Sequence, residues 1–514
     1  MKSSILSINP GHDGAVAFLK DHSLAFCLEA EKDSNLRHQT ASMGIMLEAL
    51  RRMEGVPDVI AASGWENGDF SPLLGTGYHG TEERLVRRTV TQFLGRETEL
   101  FESTHERSHI FCSYGMSPFP QGQPCYALNW EAQTGAFYEI DEHMRVLEFP
   151  SVLQFPGYKY AFLFDVADAD RAFGSWNHVA AGKLMALAGY SKRGPVTADE
   201  RAIIDRILNT VAPPRTDKGQ FHGSPYFNCG VTDPAFLELA GKFSDALFDR
   251  FFQYAKQNLR KGYPLLIGGG CGLNCEWNTR WKESGLFSDV FVPPVANDSG
   301  SAIGTAIEAQ YYRDGCAKIS WDVYSGAEFV WDAPVKGPKK PLDYDELARS
   351  LAAGRIAAWV HGRCEIGPRA LGHRSLLAAP FDAAIRDRLN AIKQREPYRP
   401  VAPVCLEEDA TELFGMPGPS PYMLGFQKVR VEGLHAVTHV DGSARVQTMS
   451  REQNPELHAL LSAFKKLTGF GALCNTSLNF PGRGFINRAS DLFRFAGERG
   501  TEDAVVDGEH YRIR

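Results

Sequence analysis

Three times in the N-terminal part of this chain, a short apolar run passes straight into a glycine-rich turn. Residues 3–9, SSILSIN, lead into PGHDG and a second apolar run, AVAFLKD, which reads as a β-hairpin. Residues 265–283 read as a strand, the turn Gly268 to Gly272, then a helix; residues 290–312 repeat that grammar around Gly300 to Gly304. Such a pattern confines the fold to mixed α/β layers. Glycines at strand ends let backbone amides approach phosphate oxygens, and a following helix adds its positive N-terminal end. With Asp13, Asn274 and Asp298 at the tips, the three turns together point to nucleotide binding. Any one of them alone would read as a structural turn.

The length of 514 residues predicts two or more domains, since single cores rarely grow past about 250–300 residues. The best boundary is DAPVKGPKKPLDYDE, residues 332–346, where Pro, Gly and Lys cluster. It divides a domain at 1–335 from a second at 343–514, whose opening reads as helix YDELARSLAAG followed by strand IAAWVHG. Lys plus Arg number 55 against 62 Asp plus Glu, a net charge of −7, which argues against nucleic acid held by bulk charge. There is no apolar run of membrane-spanning length and no signal-peptide pattern at the start. The ten Cys are scattered, and Cys271 with Cys275 makes only a weak zinc half-site. A cytoplasmic protein with reduced thiols is expected.

The segment His105-Glu106-Arg107-Ser108-His109 satisfies HExxH. On a helix, His105 and His109 lie one turn apart on one face and could hold one metal. Three readings stay open: a zinc protease with Glu106 as base, a plain helix carrying two histidines, or a metal site in which Glu106 is incidental.

Cations are concentrated in the C-terminal region. GRCEIGPRALGHRSLL carries Arg363, Arg369 and Arg374; NAIKQREPYRPVAP adds Lys393, Arg395 and Arg399. THVDGSARVQT offers His439, Ser443 and Arg445, and LCNTSLNFPG offers Asn475, Ser477 and Asn479. Guanidinium forks grip phosphate bidentately, so this density in an acidic chain predicts a pocket for several phosphates. A solvated salt-bridged surface is the alternative, weakened because the cations lack acidic partners at helical spacing. RNA binding is disfavoured by the scarcity of interleaved aromatics. The nucleotide and phosphate candidates are Gly269, Gly270, Asn274, Arg363, Arg374, Arg395, Arg399, Arg445, Asn475 and Ser477, with Arg369 and Lys393 as catalytic cations.

The ordered set INPGHDGAV, AGKLMALA (with Gly182 and Lys183), GGGCGLN, NDSGSAIGTA, GPRALGHRS, KQREPYRPVAPV, THVDGSARVQT and LCNTSLNFPG resembles the ATP-dependent carbamoyltransferases. That family includes nodulation-factor, aminoglycoside and hydroxymethyl-cephem O-carbamoyltransferases, and the chain looks most like the cephem branch. The resemblance implies an N-terminal two-lobed domain of the actin-like ATPase superfold and a C-terminal YrdC-like α/β domain. It implies that carbamoyl phosphate and ATP (with Mg) form carbamoyl-adenylate in the C-terminal domain. In the N-terminal domain an acceptor hydroxyl of a small-molecule natural product, as in antibiotic biosynthesis, would then displace AMP. It also implies a divalent metal, iron foremost, on His105, His109 and Asp298. A further ligand position, Asp before Gly in the family, falls here on Glu131 followed by Ala132. His12, beside Asp13, is a candidate general base or a structural histidine. Neither nucleic acid nor membrane is expected as a partner. The competing functions are tRNA or protein modification by the same chemistry, and an actin-like ATP-driven interaction protein. The latter would leave the arginine-rich set unexplained.

Overall fold

The computed structural model describes residues 3–64, 85–171, 178–210, 217–260, 262–334 and 338–513. The expected domain end at residue 335 lies outside the described residues. The PGHDG turn closes the expected hairpin. β1 (Ser4–Asn9), β2 (Ala15–Lys20) and β3 (Ser23–Glu29) form an antiparallel meander. β4 (Val59–Ser63) runs parallel to β1, and β5 (Val86–Phe93) pairs antiparallel with β6 (Arg96–Ser103), which runs parallel to β4. The order is β3-β2-β1-β4-β6-β5.

A second sheet repeats the design. β7 (Cys125–Trp130), β8 (Gly135–Ile140) and β9 (Val146–Glu148) make another meander; β10 (Leu265–Gly268) runs parallel beside β7, and β11 (Val290–Phe291) parallel beside β10. One hydrophobic core joins both sheets to two helices, His105–Met116 and Ser299–Asp314. These helices are buried nearly all round, so neither is amphipathic. The two sheets share the order of an antiparallel meander followed by parallel strands, which gives the N-terminal region its two lobes.

Glycines set how closely the two central helices approach. A Cβ on Gly304 would lie 1.7 Å from the Ser108 carbonyl oxygen, and one on Gly300 would lie 3.0 Å from Cys112 Sγ. The turn read from sequence as phosphate-binding therefore serves helix packing at these two glycines. That contact places Asp298, the residue capping one helix, beside His105 and His109 on the other.

The C-terminal region builds one eight-stranded mixed sheet. Its strands are β12 (Lys339–Pro341), β13 (Ala357–Val360), β14 (Arg374–Ala378) and β15 (Ala402–Leu406), then β18 (Gln447–Met449), β19 (Ala472–Ser477), β20 (Asp503–Val506) and β21 (Glu509–Arg512). Between β15 and β18, β16 (Gln427–Lys428) and β17 (Ser443–Ala444) form a separate ribbon. The large sheet runs β12-β21-β20-β13-β14-β19-β15-β18, with a hydrophobic cluster on each face. Among the described residues, no helix is long and apolar enough to cross a membrane.

Buried polar contacts join the two regions. Lys32, 2% exposed, ion-pairs with Glu29 and donates to the backbone carbonyls of Glu365 and, at 2.9 Å, Gly367. Glu29 accepts from the Gly367 amide at 3.2 Å. The carboxylate of Glu365 accepts from the amides of Leu371, His373 and Arg374. A buried charge is tolerable only when paired and hydrogen-bonded. This network therefore fixes the path of residues 365–374 against the N-terminal region.

Candidate functional site

A cavity of about 1170 Å³ lies between the two regions. His12, Asp13, Glu131 and Asp298 line one end; Arg369, Arg395, Arg399, Arg445, Asn475 and Ser477 line the other.

At the first end, Thr104 caps the helix His105–Met116 by accepting from the Arg107 amide, which starts the helix where both histidines face β7. His105 Nε2 lies 2.9 Å from Glu131 Oε2 and 3.2 Å from His109 Nε2. His109 Nε2 is 3.1 Å from Glu131 Oε1 and 3.5 Å from Asp298 Oδ1. One ligand atom from each of the four residues lies within 4.8 Å of all the others. A neutral imidazole has one N–H, so the facing nitrogens and two carboxylates converge more lone pairs than protons. That donor set fits a divalent cation of the borderline kind, such as iron or zinc. Burial alone would raise the Asp298 carboxyl, but hydrogen bonds from His109 and His12 hold it well below the usual carboxylate range.

The extra methylene of Glu131 is accommodated by Gly269. At φ 93° a Cβ there would lie 2.4 Å from Glu131 Cγ. Gly268 lies against His109, with its virtual Cβ 3.1 Å from His109 Cβ. Gly269, expected at a nucleotide, is thus occupied in shaping the four-ligand cluster; Gly270 does line the cavity. Glu106 lies outside the cluster and acts on Tyr138 and Glu148, so the protease reading of HExxH has no base in place.

His12 Nδ1 sits 3.2 Å from Asp298 Oδ2, and its ring stacks on His38 at 5.1 Å and 8°. His38 Nδ1 is 2.8 Å from Asp13 Oδ1, and Asn297 donates to Asp13 Oδ2 at 3.0 Å. Burial would raise the Asp13 carboxyl, but His12 and His38 bring it down to about 2.

The other end is a cluster of desolvated cations. Arg369 donates to the Leu273 carbonyl at 3.0 Å, and its Nε has no hydrogen-bond partner. Burial, reinforced by Arg445 and Arg399, pulls Arg369 down to about 9. Burial with Arg399 and Arg445 does the same to Arg395. Arg445 Nε is likewise buried without a partner. Burial also holds His439 down to about 4, so it is neutral. Asn475 donates to Ala370 O and Gln447 Oε1, tying the loop after Arg369 to the sheet.

Four sequence-predicted residues have other work. Arg363 donates to the carbonyls of Ala25, Ser325 and Gly326, joining the two regions instead of facing the cavity. Arg374 is fully buried and spends its fork on Asn487 and the carbonyls of His361, Gly362 and His373. Lys393 lies behind the cavity wall, where it donates to Ser477 and Asn479, and burial holds it far below the ordinary lysine range. It supports Ser477 and is not a lining cation. The side-chain oxygen of Asn274 caps the helix Cys275–Glu283, leaving only its Nδ2, buried and without a partner, as a donor. Sequence reasoning missed Arg37, His38 and Asn297, which also line the cavity; the last adjoins the NDSG motif and was within reach of the sequence.

Family models described as carbamoyltransferase C-terminus and carbamoyltransferase N-terminus match residues 348–512 and 248–307. The chain is 48% identical to a 3'-hydroxymethylcephem-O-carbamoyltransferase of Amycolatopsis lactamdurans and 46% identical to one of Streptomyces clavuligerus, each over 99% of both proteins. It is 33% identical to nodulation protein U of Rhizobium tropici over 95% of this chain and 92% of that protein. Among solved structures, full-length HypF aligns with 62% of this chain and 56% of its own at 14% identity and a TM-score of 0.32.

Proposed function

The chain belongs to the carbamoyltransferase family, and we propose that it converts carbamoyl phosphate and ATP, with Mg, into carbamoyl-adenylate and passes the carbamoyl group to a small-molecule alcohol. The observation that carries this reading is the single cavity with arginines at one end and a four-ligand cluster at the other. We place adenylate formation in residues 343–514 and transfer in residues 1–335, divided within 332–346.

In the first half-reaction, water cleaves the P–O bond of carbamoyl phosphate, releasing inorganic phosphate and carbamate. A carbamate oxygen attacks the α-phosphorus of ATP, and pyrophosphate leaves. Arg369, Arg395, Arg399 and Arg445 hold the phosphoryl oxygens; their charges are already desolvated and need little reorganisation as charge develops. Asn475 and Ser477 position the same segment, with Lys393 supporting Ser477. Gly270 and Asn274 offer backbone and amide donors where the second turn meets the cavity.

In the second half-reaction, the acceptor oxygen attacks the carbamoyl carbon, and AMP leaves with the bonding electrons. His12 receives the hydroxyl proton, and Asp13, through His38, holds the stacked pair of rings in place. His105, His109, Glu131 and Asp298 would hold a divalent metal, with iron the first candidate. Bound there, it would supply Lewis-acid stabilisation of the phosphate or carbamoyl oxygen.

The relatives' names designate 3'-hydroxymethylcephem as an acceptor, so an alcohol of that kind, from antibiotic biosynthesis, is the first to test. Purified protein is expected to release pyrophosphate only with carbamoyl phosphate present and without nucleic acid. It is also expected to add one carbamoyl mass increment to the alcohol. Hydrolysis of ATP to ADP and phosphate, independent of carbamoyl phosphate, would overturn the reading in favour of an actin-like ATPase. The net charge of −7 supports a small acceptor over tRNA.

A further inference from the structure

The arginine set assigned so far comes wholly from the C-terminal region, yet two arginines of the N-terminal region also line the cavity: Arg193, which is ion-paired with Glu276 and Asp245, and Arg37. Arg37 belongs to the segment between the helices Ala30–Ser34 and Met43–Arg52. That segment is pressed onto the first glycine turn: the Gly14 amide donates to the Gln39 carbonyl at 2.8 Å, and a Cβ on Gly14 would lie 2.0 Å from the Ala41 nitrogen. From the other region, the Gly484 amide donates to Asn35 O at 3.4 Å.

Within this anchored segment, Arg37 and His38 both reach the cavity but serve different ends of it. His38 adopts φ 57°, a left-handed conformation that costs a non-glycine residue free energy and is kept where surrounding contacts impose it. Its ring stacks on His12 and meets Asp13. Arg37 instead adds its charge to the field acting on Arg369, Lys393 and Arg399. Its ion pair with Glu31, at 3.9 Å, is longer than a hydrogen bond, and the Arg37 side chain is 38% exposed. A cation placed among like charges, with only a distant acid, is suited to an anionic ligand.

We infer that Arg37 is a phosphoryl-binding residue of the transfer step: it holds the phosphate of the adenylate while the carbamoyl carbon faces the His12–His38 pair. The ligand class is a nucleoside monophosphate in mixed anhydride with a carbamate, so the inference rests on the reading proposed above. The C-terminal arginines would bind this phosphate as it forms, and Arg37 would keep it in the cavity afterwards.

The test is the ratio of carbamoylated alcohol to pyrophosphate, measured in the full-length protein with carbamoyl phosphate, ATP and an accepted alcohol. Arg37→Ala is expected to lower carbamoyl phosphate-dependent pyrophosphate release less than it lowers the carbamoylated product. It is expected to lower the ratio by about tenfold, the scale of one lost charge-assisted contact. AMP without carbamoylated product would make up the difference, and Arg37→Lys is expected to restore part of the ratio. Arg37→Gln, which keeps a polar side chain of similar reach, provides a second variant should alanine disturb the segment. An unchanged ratio in Arg37→Ala and Arg37→Gln would overturn the inference, as would a loss of pyrophosphate release at constant ratio. If the unaltered protein releases no carbamoyl phosphate-dependent pyrophosphate, the underlying reading fails instead, a result distinct from either.

Discussion

At one end of the cavity, two carboxylates face two imidazoles within hydrogen-bonding distance, so each of His105, His109, Glu131 and Asp298 has a polar partner. At the other, Arg369, Arg395, Arg399 and Arg445 share a desolvated wall, and Glu396, 3.9 Å from Arg399, is engaged by Lys183. Buried charge is tolerated where it is paired and hydrogen-bonded, and costs free energy where it is not. The first end thus presents a donor set suited to a cation, and the second a set of charges suited to an anion.

The junction that holds both ends in register offers the largest effect. Lys32→Ala strands Glu29 in the interior, and loss of one buried partner costs about 3–5 kcal/mol. A denaturation midpoint lowered to match, with pyrophosphate release and transfer falling together, is expected. Loss of only one half-reaction at unchanged stability would separate the two ends more than the junction allows.

Next in size, Arg369→Ala is expected to cut pyrophosphate release by about 10²–10³-fold, as for loss of one preorganised donor to developing charge, while bound metal stays constant. His109→Ala is its counterpart. Metal retained after dialysis should fall by about tenfold or more and transfer should fail, with pyrophosphate release within about twofold. Pyrophosphate release lost in His109→Ala would mean that the ends are not separable.

Titration sharpens the contrast further. Arg369 and Arg395 are both pulled down to about 9 and must be charged to hold an anion. Below that pH they are protonated with or without ligand, so pyrophosphate affinity should be flat. Above it, affinity should fall by up to about tenfold per unit for each group, as calorimetry would read. Flat affinity to higher pH would show that these two guanidiniums do not carry the binding. The smallest expected effect is that of Arg363→Lys, with pyrophosphate affinity within about twofold. Its guanidinium serves carbonyls at the junction, so a large loss would return it to the anion pocket.

How much could be read beforehand differs from residue to residue. The hairpin at PGHDG, the strand–turn–helix units and the pairing of His105 with His109 follow from local periodicity and turn chemistry, which act over a few residues. The glycines show the opposite. Gly269 and Gly304 look like phosphate glycines, yet they make room for Glu131 and the Ser108 carbonyl, partners distant in sequence. Arginine density pointed to one region, and Arg369, Arg395, Arg399 and Arg445 of it do line the cavity. It gave no means of distinguishing Arg369 from Arg363 and Arg374, since the three share one short segment. Arg37 lies in a mixed stretch with Lys32, Asp33 and His38, and nothing local marks it.

The sequence by itself determined the elements, the family and the chemical character of each motif, because strand alternation, helix periodicity, capping and side-chain type are local properties. Only the tertiary structure decided which arginines face the cavity and which hold the two regions together. It also decided that Glu131 lies with His105, His109 and Asp298, and that Arg37 of the first region lines the same cavity as arginines of the second. Those outcomes depend on desolvation and on contacts between residues far apart in the chain, and both quantities arise only once the regions have packed.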